Sequence, residues 1–194
     1  MTRTITRLYD NRNDAMEAAH DVERQGIPSQ DISIVASNKD SWYDKDKDAG
    51  AREKTHDTGG GVAKGAATGG ALGAGAGLLT GLGLLVIPGI GPVVAAGWLG
   101  ATIIGAATGA VAGGAVGGLV GALTDAGVPE EEAHIYSEGV RRGGTLLSVR
   151  VDDARASDIE MALDRYRPTD LPSRGQEYRS SGWTRFDPSA PPPA

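Results

Sequence analysis

Ile87-Pro88-Gly89-Ile90-Gly91-Pro92-Val93 lies midway between two runs in which glycine recurs every fourth residue. The first run holds Gly61, Gly65, Gly69, Gly73, Gly77 and Gly81. The second holds Gly97, Gly105, Gly109, Gly113, Gly117 and Gly121, with Ala101 in the one missing slot. Proline and glycine at this density are a strong turn signal. A chain folded back at Pro88, Gly89, Gly91 and Pro92 sets Gly81 opposite Gly97 and Gly61 opposite Gly117. A spacing of four puts residues on one face of a helix, and a face of small residues lets two backbones approach closely. The reading is a glycine-zipper helical hairpin over 59–126. Leu72, Leu79, Leu82, Leu85 and Val86 form the bulky outer face of one arm, and Leu99, Ile103, Val111, Val116 and Leu119 that of the other.

Charge is segregated around this block. Lys64 is the only charged residue between Asp57 and Asp125, and 65–124 carries no ionisable group. Each interior glycine costs a helix roughly 1 kcal/mol relative to alanine, so such a helix does not stand alone in water. In a bilayer the backbone must satisfy its own hydrogen bonds, which favours helix despite glycine, and each run exceeds the ~20 residues needed to span. Two arrangements follow. The hairpin enters a membrane with lipid as its partner, or several hairpins bury their Leu and Ile faces in a soluble homo-oligomer. Arg52, Lys54 and Lys64 before the block, with Arg141 and Arg142 after it, favour polar flanks on the cytoplasmic side of a cell membrane. A flexible linker fits poorly, because such linkers have no register and carry Ser rather than Leu and Ile.

The flanks read as α+β. Residues 4–9 and 31–36 are expected strands, joined by a helix over 13–25 that Asn13 caps and Gly26 stops. Residues 38–58, with alternating Asp and Lys over 44–48, read as a charged linker. A helix opens at Pro129 and runs to about Arg142, with Glu130, Glu131 and Glu132 in its first turn. Residues 145–151 form a strand and 153–166 a helix, with 168–172 as a candidate edge strand. The tail, 171–194, is rich in Pro, Ser, Gly and Arg and reads as disordered. The order suits a split ferredoxin-like β-α-β / α-β-α sandwich in which 1–37 and 127–170 pack together, with the hairpin as an insertion.

Chemistry is sparse. The chain has no cysteine, which excludes disulfides and thiolate sites, and a formal charge of -6, which argues against nucleic acid as a partner. No basic start is followed by an apolar stretch, so no secretory signal is expected. The glycine runs complete neither Gly-x-Gly-x-x-Gly nor a phosphate loop, since Lys64 follows Ala63. Asp44, Asp46 and Asp48 resemble the start of a calcium loop, but Ala49 stands where glycine is required and Thr55 where the bidentate Glu belongs. His20, His56 and His134 lack ligand spacing. No catalytic, cofactor or metal residue is expected, and the chain reads as a non-enzyme.

Three segments carry a resemblance: Gly26-Ile27-Pro28-Ser29-Gln30-Asp31-Ile32-Ser33-Ile34-Val35, Ile87 through Val93, and Val128-Pro129-Glu130-Glu131-Glu132-Ala133 with Tyr136 through Gly144. Together they resemble the bacterial heat-induced general stress protein family, the general-stress-protein-17M-like proteins, over about residues 3–167. The resemblance implies expression under heat or general stress, a split ferredoxin-like flank and a membrane-type glycine-rich insertion. It brings no catalytic residues. The expectation is a non-enzymatic stress protein, membrane-associated through a hairpin that packs and self-associates. The alternatives are a soluble homo-oligomer and a ligand-sensing ferredoxin-like module with a membrane anchor.

Overall fold

Residues 2–43, 82–108 and 118–190 are described by the computed structural model, with only the backbone given over 104–108. Apolar alternation sets the strands, because successive side chains in a strand point to opposite faces. In β1 (Thr2–Tyr9), Ile5 and Tyr9 share a face. In β2 (Ile32–Ser37) the same face takes Ile32, Ile34 and Ala36. Two further strands, β3 (Gly83–Ile87) and β4 (Gly91–Ala96), come from the middle of the glycine-rich block. In β5 (Thr145–Asp152) that face takes Leu147, Val149 and Val151. The five strands form one sheet in the order β1-β5-β2-β4-β3, with every neighbouring pair antiparallel.

Six α-helices accompany the sheet among the described residues: α1 (Arg12–Arg24), α2 (Gly97–Thr108), α3 (Leu119–Asp125), α4 (Glu130–Arg141), α5 (Asp153–Asp164) and α6 (Leu171–Ser180). They cover both faces. Ala15, Ala18, Ala19 and Val22 of α1 and Ala156, Ile159 and Leu163 of α5 fill one core with the strand residues named above. The other core joins Leu8, Val35, Val93 and Leu146 of the sheet to Leu99, Leu119, Leu123, Tyr136 and Val140. The fold is thus mixed α/β. The two ends of the chain build one sheet, since β5 lies between β1 and β2 and pairs with both. Consequently β1 and β2 run parallel with β5 inserted between them, and β4 and β5 run parallel with β2 between them.

Four expectations change. The centre of the expected helical hairpin, 83–96, is a β-hairpin. Val86, Ile87, Ile90, Val93 and Val94 are β-branched, which favours strand, and Pro88 and Pro92 are costly inside a helix. The tail is ordered over Leu171–Ser180, where Asp170 accepts from the Ser173 N–H at 3.0 Å as N-cap and Pro172 occupies the first turn. Tyr178 and Phe186 are buried, at 1% and 4% exposure, which anchors a segment whose composition alone would leave it loose. Residues 168–170 precede α6 outside any strand, with one ladder-like bond from the Thr169 N–H to the Leu8 carbonyl at 2.7 Å. Finally, Asn11 rather than Asn13 caps α1, its side chain accepting from the Asn13 N–H at 2.9 Å. Of the charged linker over 38–58, residues 44–58 lie outside the described residues.

Candidate functional site

Of the four expected turn residues, Pro88 and Gly89 form the turn, and Gly91 and Pro92 open strand β4. Ile90 N–H donates to the Ile87 carbonyl at 3.1 Å. Pro88 and Gly89 are its central residues, with Gly89 at φ +76°. Proline first and a positive-φ glycine second is the type II pattern. The strands leave this turn in a register symmetric about Gly89: Ile87 faces Gly91, Val86 faces Pro92 and Gly83 faces Ala95. Over 83–95 this symmetry is carried by a strand ladder, while the expected facing pairs Gly81–Gly97 and Gly61–Gly117 include residues outside those described.

Four of the thirteen zipper positions are among the described residues. Gly61, Gly65, Gly69, Gly73, Gly77, Gly81, Gly109, Gly113 and Gly117 lie outside the described residues. Gly97, Ala101 and Gly105 fall in α2, and Gly121 in α3. Gly97 is needed for a reason the zipper does not supply. Its φ is +78°, and a β-carbon there would stand 2.1 Å from the Ile32 carbonyl oxygen of β2. Glycine lets the chain turn from β4 into α2 hard against the neighbouring strand. Beside it, the Ser33 hydroxyl donates to the Ala96 carbonyl at 2.7 Å and accepts from the Leu99 N–H at 3.2 Å. Ser33 thus caps α2 from an adjacent strand, satisfying one of the donors a helix start leaves open.

The candidate interaction site is the outer strand of this hairpin. Among the described residues β3 is the sheet edge, with β4 on one side only. Its sequence, Gly83-Leu84-Leu85-Val86-Ile87, carries no charge. Ile87 turns into the core, while Leu84 is 50% and Val86 74% exposed. The two exposed residues share a face, on the side where α1 and α5 pack over β1, β2 and β5. Natural sheet edges are usually blunted by charges, proline or bulges. The β3 residues include none of the first two.

The opposite end of the hairpin is covered. The tail crosses the turn: a β-carbon on Gly89 would stand 2.6 Å from the Pro188 Cα and 2.8 Å from the Asp187 carbonyl. Phe186 joins the core beside Ile87 and Ile90. Charged side chains help to dock the tail. Arg174 bonds Asp10 at 2.6 Å, Arg179 pairs with Glu131, and the Arg142 guanidinium lies 4.3 Å over the Tyr178 ring. Burial pushes the Tyr178 phenol up. Glu138, only 1% exposed, accepts from Arg141 Nε and Nη2, each at 2.8 Å, and from Arg142 Nε at 2.7 Å. Its hydrogen bond raises the Arg141 pKa.

Among the described residues no helix is long and apolar enough to cross a membrane, and no group of three or more His, Asp or Glu is placed to hold a metal. Comparison with protein-family models, curated proteins and solved structures gave no match. The zipper reading puts Leu85 and Val86 on the outer face of a helix and so passes over the β3 edge. The signal that finds it is the density of β-branched residues around a Pro-Gly turn.

Proposed function

We propose that this chain is a non-enzymatic assembly protein whose copies join through the β3 edge. The observation that carries this reading is an uncharged strand that, among the described residues, pairs on one side only, with Leu84 half exposed and Val86 three-quarters exposed. Such an edge is a template for strand addition. It is also self-complementary. An antiparallel pair of β3 strands related by a two-fold axis through Leu85 sets Leu84 of one copy opposite Val86 of the other, twice. Isologous two-fold contacts are the commonest way soluble proteins assemble, and apolar cross-strand pairs stabilise them by roughly 0.2–1 kcal/mol each. The β1-α1-β2 unit, split by β5, supports placing the fold near the ferredoxin-like arrangement. The resemblance noted in the sequence supports a role under heat or general stress.

A second reading is membrane association, favoured by the same exposed residues. Leu84 and Val86 continue into the folded domain the uncharged run that starts at Gly65, so one apolar surface serves lipid as readily as protein. Light scattering on the full chain, with and without vesicles, separates the two. Self-association predicts a discrete oligomer that falls to monomer in Val86→Lys, with the melting temperature little changed. A monomer at all concentrations sinks the assembly reading. Flotation of the wild type with vesicles, abolished by the same substitution, replaces it with the membrane reading.

A further inference from the structure

At the end of the sheet where β1 begins and β5 finishes, Thr2 faces Asp152 in register, and the strands part from the α1–β2 connection to leave a cleft of about 310 Å³. Its lining includes Thr2, Ile27, Asp31, Arg150, Asp152 and Arg155. The volume is at the lower end of what small-molecule sites occupy, and the lining is chiefly polar.

Arg150 is the unusual member. Its guanidinium carbon lies 3.8 Å from the centre of the Trp98 ring. That stack fixes the plane of the guanidinium by cation–π attraction. Among the described residues its side chain is in no ion pair and donates no hydrogen bond. A planar fork of donors, held flat and unused, matches a carboxylate bidentately. Arg155 differs, because one of its N–H groups already holds the Gln25 carbonyl at 2.5 Å.

Opposite charge stands in the same cleft but beyond pairing distance. Asp31 closes the short 3-10 turn Ser29–Asp31, and Asp152 precedes α5 without its side chain capping the helix. Among the described residues neither carboxylate is in an ion pair. Two arginines and two aspartates balance, so a simple anion meets repulsion from the aspartates and a simple cation meets it from the arginines. A ligand carrying both charges satisfies each wall.

We propose that this cleft binds a small zwitterion of the free α-amino acid class, its carboxylate on Arg150 and its ammonium on Asp31. This goes beyond the assembly reading and does not depend on it, since β3 is not part of the cleft. The test is calorimetric titration of the full chain with the common amino acids, each beside its amide and its N-acetyl form, and with inorganic phosphate. The expected result is saturable binding of at least one amino acid, weakened on the order of 10–100-fold in its amide and N-acetyl forms, as loss of a charge-assisted bond implies. Arg150→Gln and Asp31→Asn should each weaken binding similarly while leaving the circular dichroism melt in place. Should either variant fail to fold, the amide and N-acetyl ligands on the wild type decide alone. No saturable binding by any amino acid overturns the proposal. So does phosphate, or an amide or N-acetyl form, binding within about twofold of the best amino acid.

Discussion

Gly89 lies directly beneath Pro188, so closely that a β-carbon on the glycine would stand 2.6 Å from the proline Cα. The tail backbone therefore fits over the hairpin turn only because position 89 has no side chain. Gly89→Ala adds a positive-φ penalty to a backbone clash. The expected loss is about 1–3 kcal/mol, and the tail should become the first site cut in limited proteolysis. Unchanged proteolytic protection of 181–190 in that variant would mean the tail is held elsewhere.

Glu138 is the buried partner of two arginines that are themselves partly exposed, at 17% and 39%. Replacing it by Gln keeps the shape but removes the charge that orders both guanidiniums. Breaking a buried pair costs about 3–5 kcal/mol when the remaining charge stays buried. Here Arg141 and Arg142 can turn to water, so a loss of about 1.5–3 kcal/mol is expected for Glu138→Gln. Urea unfolding measures it, with the midpoint moving and the slope constant.

Ser33→Ala removes the hydroxyl that bridges the Ala96 carbonyl and the Leu99 N–H. Loss of an N-cap costs about 1 kcal/mol and a stranded buried group adds to it, for about 1–2 kcal/mol in all. The melting temperature should fall roughly 2–4 °C per kcal/mol, and Ser33→Thr should recover part of the loss. Amide exchange at Leu99 gives the local readout.

Burial pushes the Tyr136 phenol up to about 12, with the nearby Glu132 carboxylate adding to the shift. Its hydroxyl donates to the Thr6 carbonyl at 3.0 Å, a bond only the neutral form can make. Tyr9 is raised in the same direction by burial, and it donates to the Leu163 carbonyl at 3.1 Å. A raised folded-state pKa means the unfolded chain gives up its proton first. The stability from these phenols is complete below the unfolded tyrosine value of about 10 and is lost as pH rises through the folded value. Stability should therefore decline from about pH 10 toward pH 12. The decline should be shallower in Tyr136→Phe, and chemical denaturation at stepped pH tests it.

The flanking elements were legible because each obeys one period. The Ala15, Ala18, Ala19 and Val22 stripe marked α1, and the alternation of Leu147, Val149 and Val151 marked β5. The glycine-rich block was not, because its spacing of four and its β-branched clusters point to different elements. In 83–96 the second signal wins, since Val93, Val94 and Ile90 are buried against sheet and helices that come from distant sequence. Over 83–95 the symmetry about Gly89 survived because it depends only on where the chain reverses. The ordered tail was hidden by its composition. Tyr178 and Phe186 find their partners only once α4 and the hairpin are in place. The cleft around Arg150 joins residues from 2–31 to residues from 150–155, a juxtaposition no local pattern announces.

Because β5 fills the gap between β1 and β2, the order of synthesis and the order of assembly cannot coincide. A ribosome delivers β1, α1 and β2 early, yet the strand that bonds both emerges only after the whole glycine-rich block has been made. Until then the early strands have no ladder between them. Closing so long a loop adds little to the equilibrium cost, which grows only as the logarithm of length, but distant pairings slow the rate of folding. The nascent chain thus spends its synthesis with β1 unpaired and one side of β2 open, since β4 can cover only the other. A chaperone that holds the chain until residue 152 has emerged would raise the yield of folded protein without touching its stability.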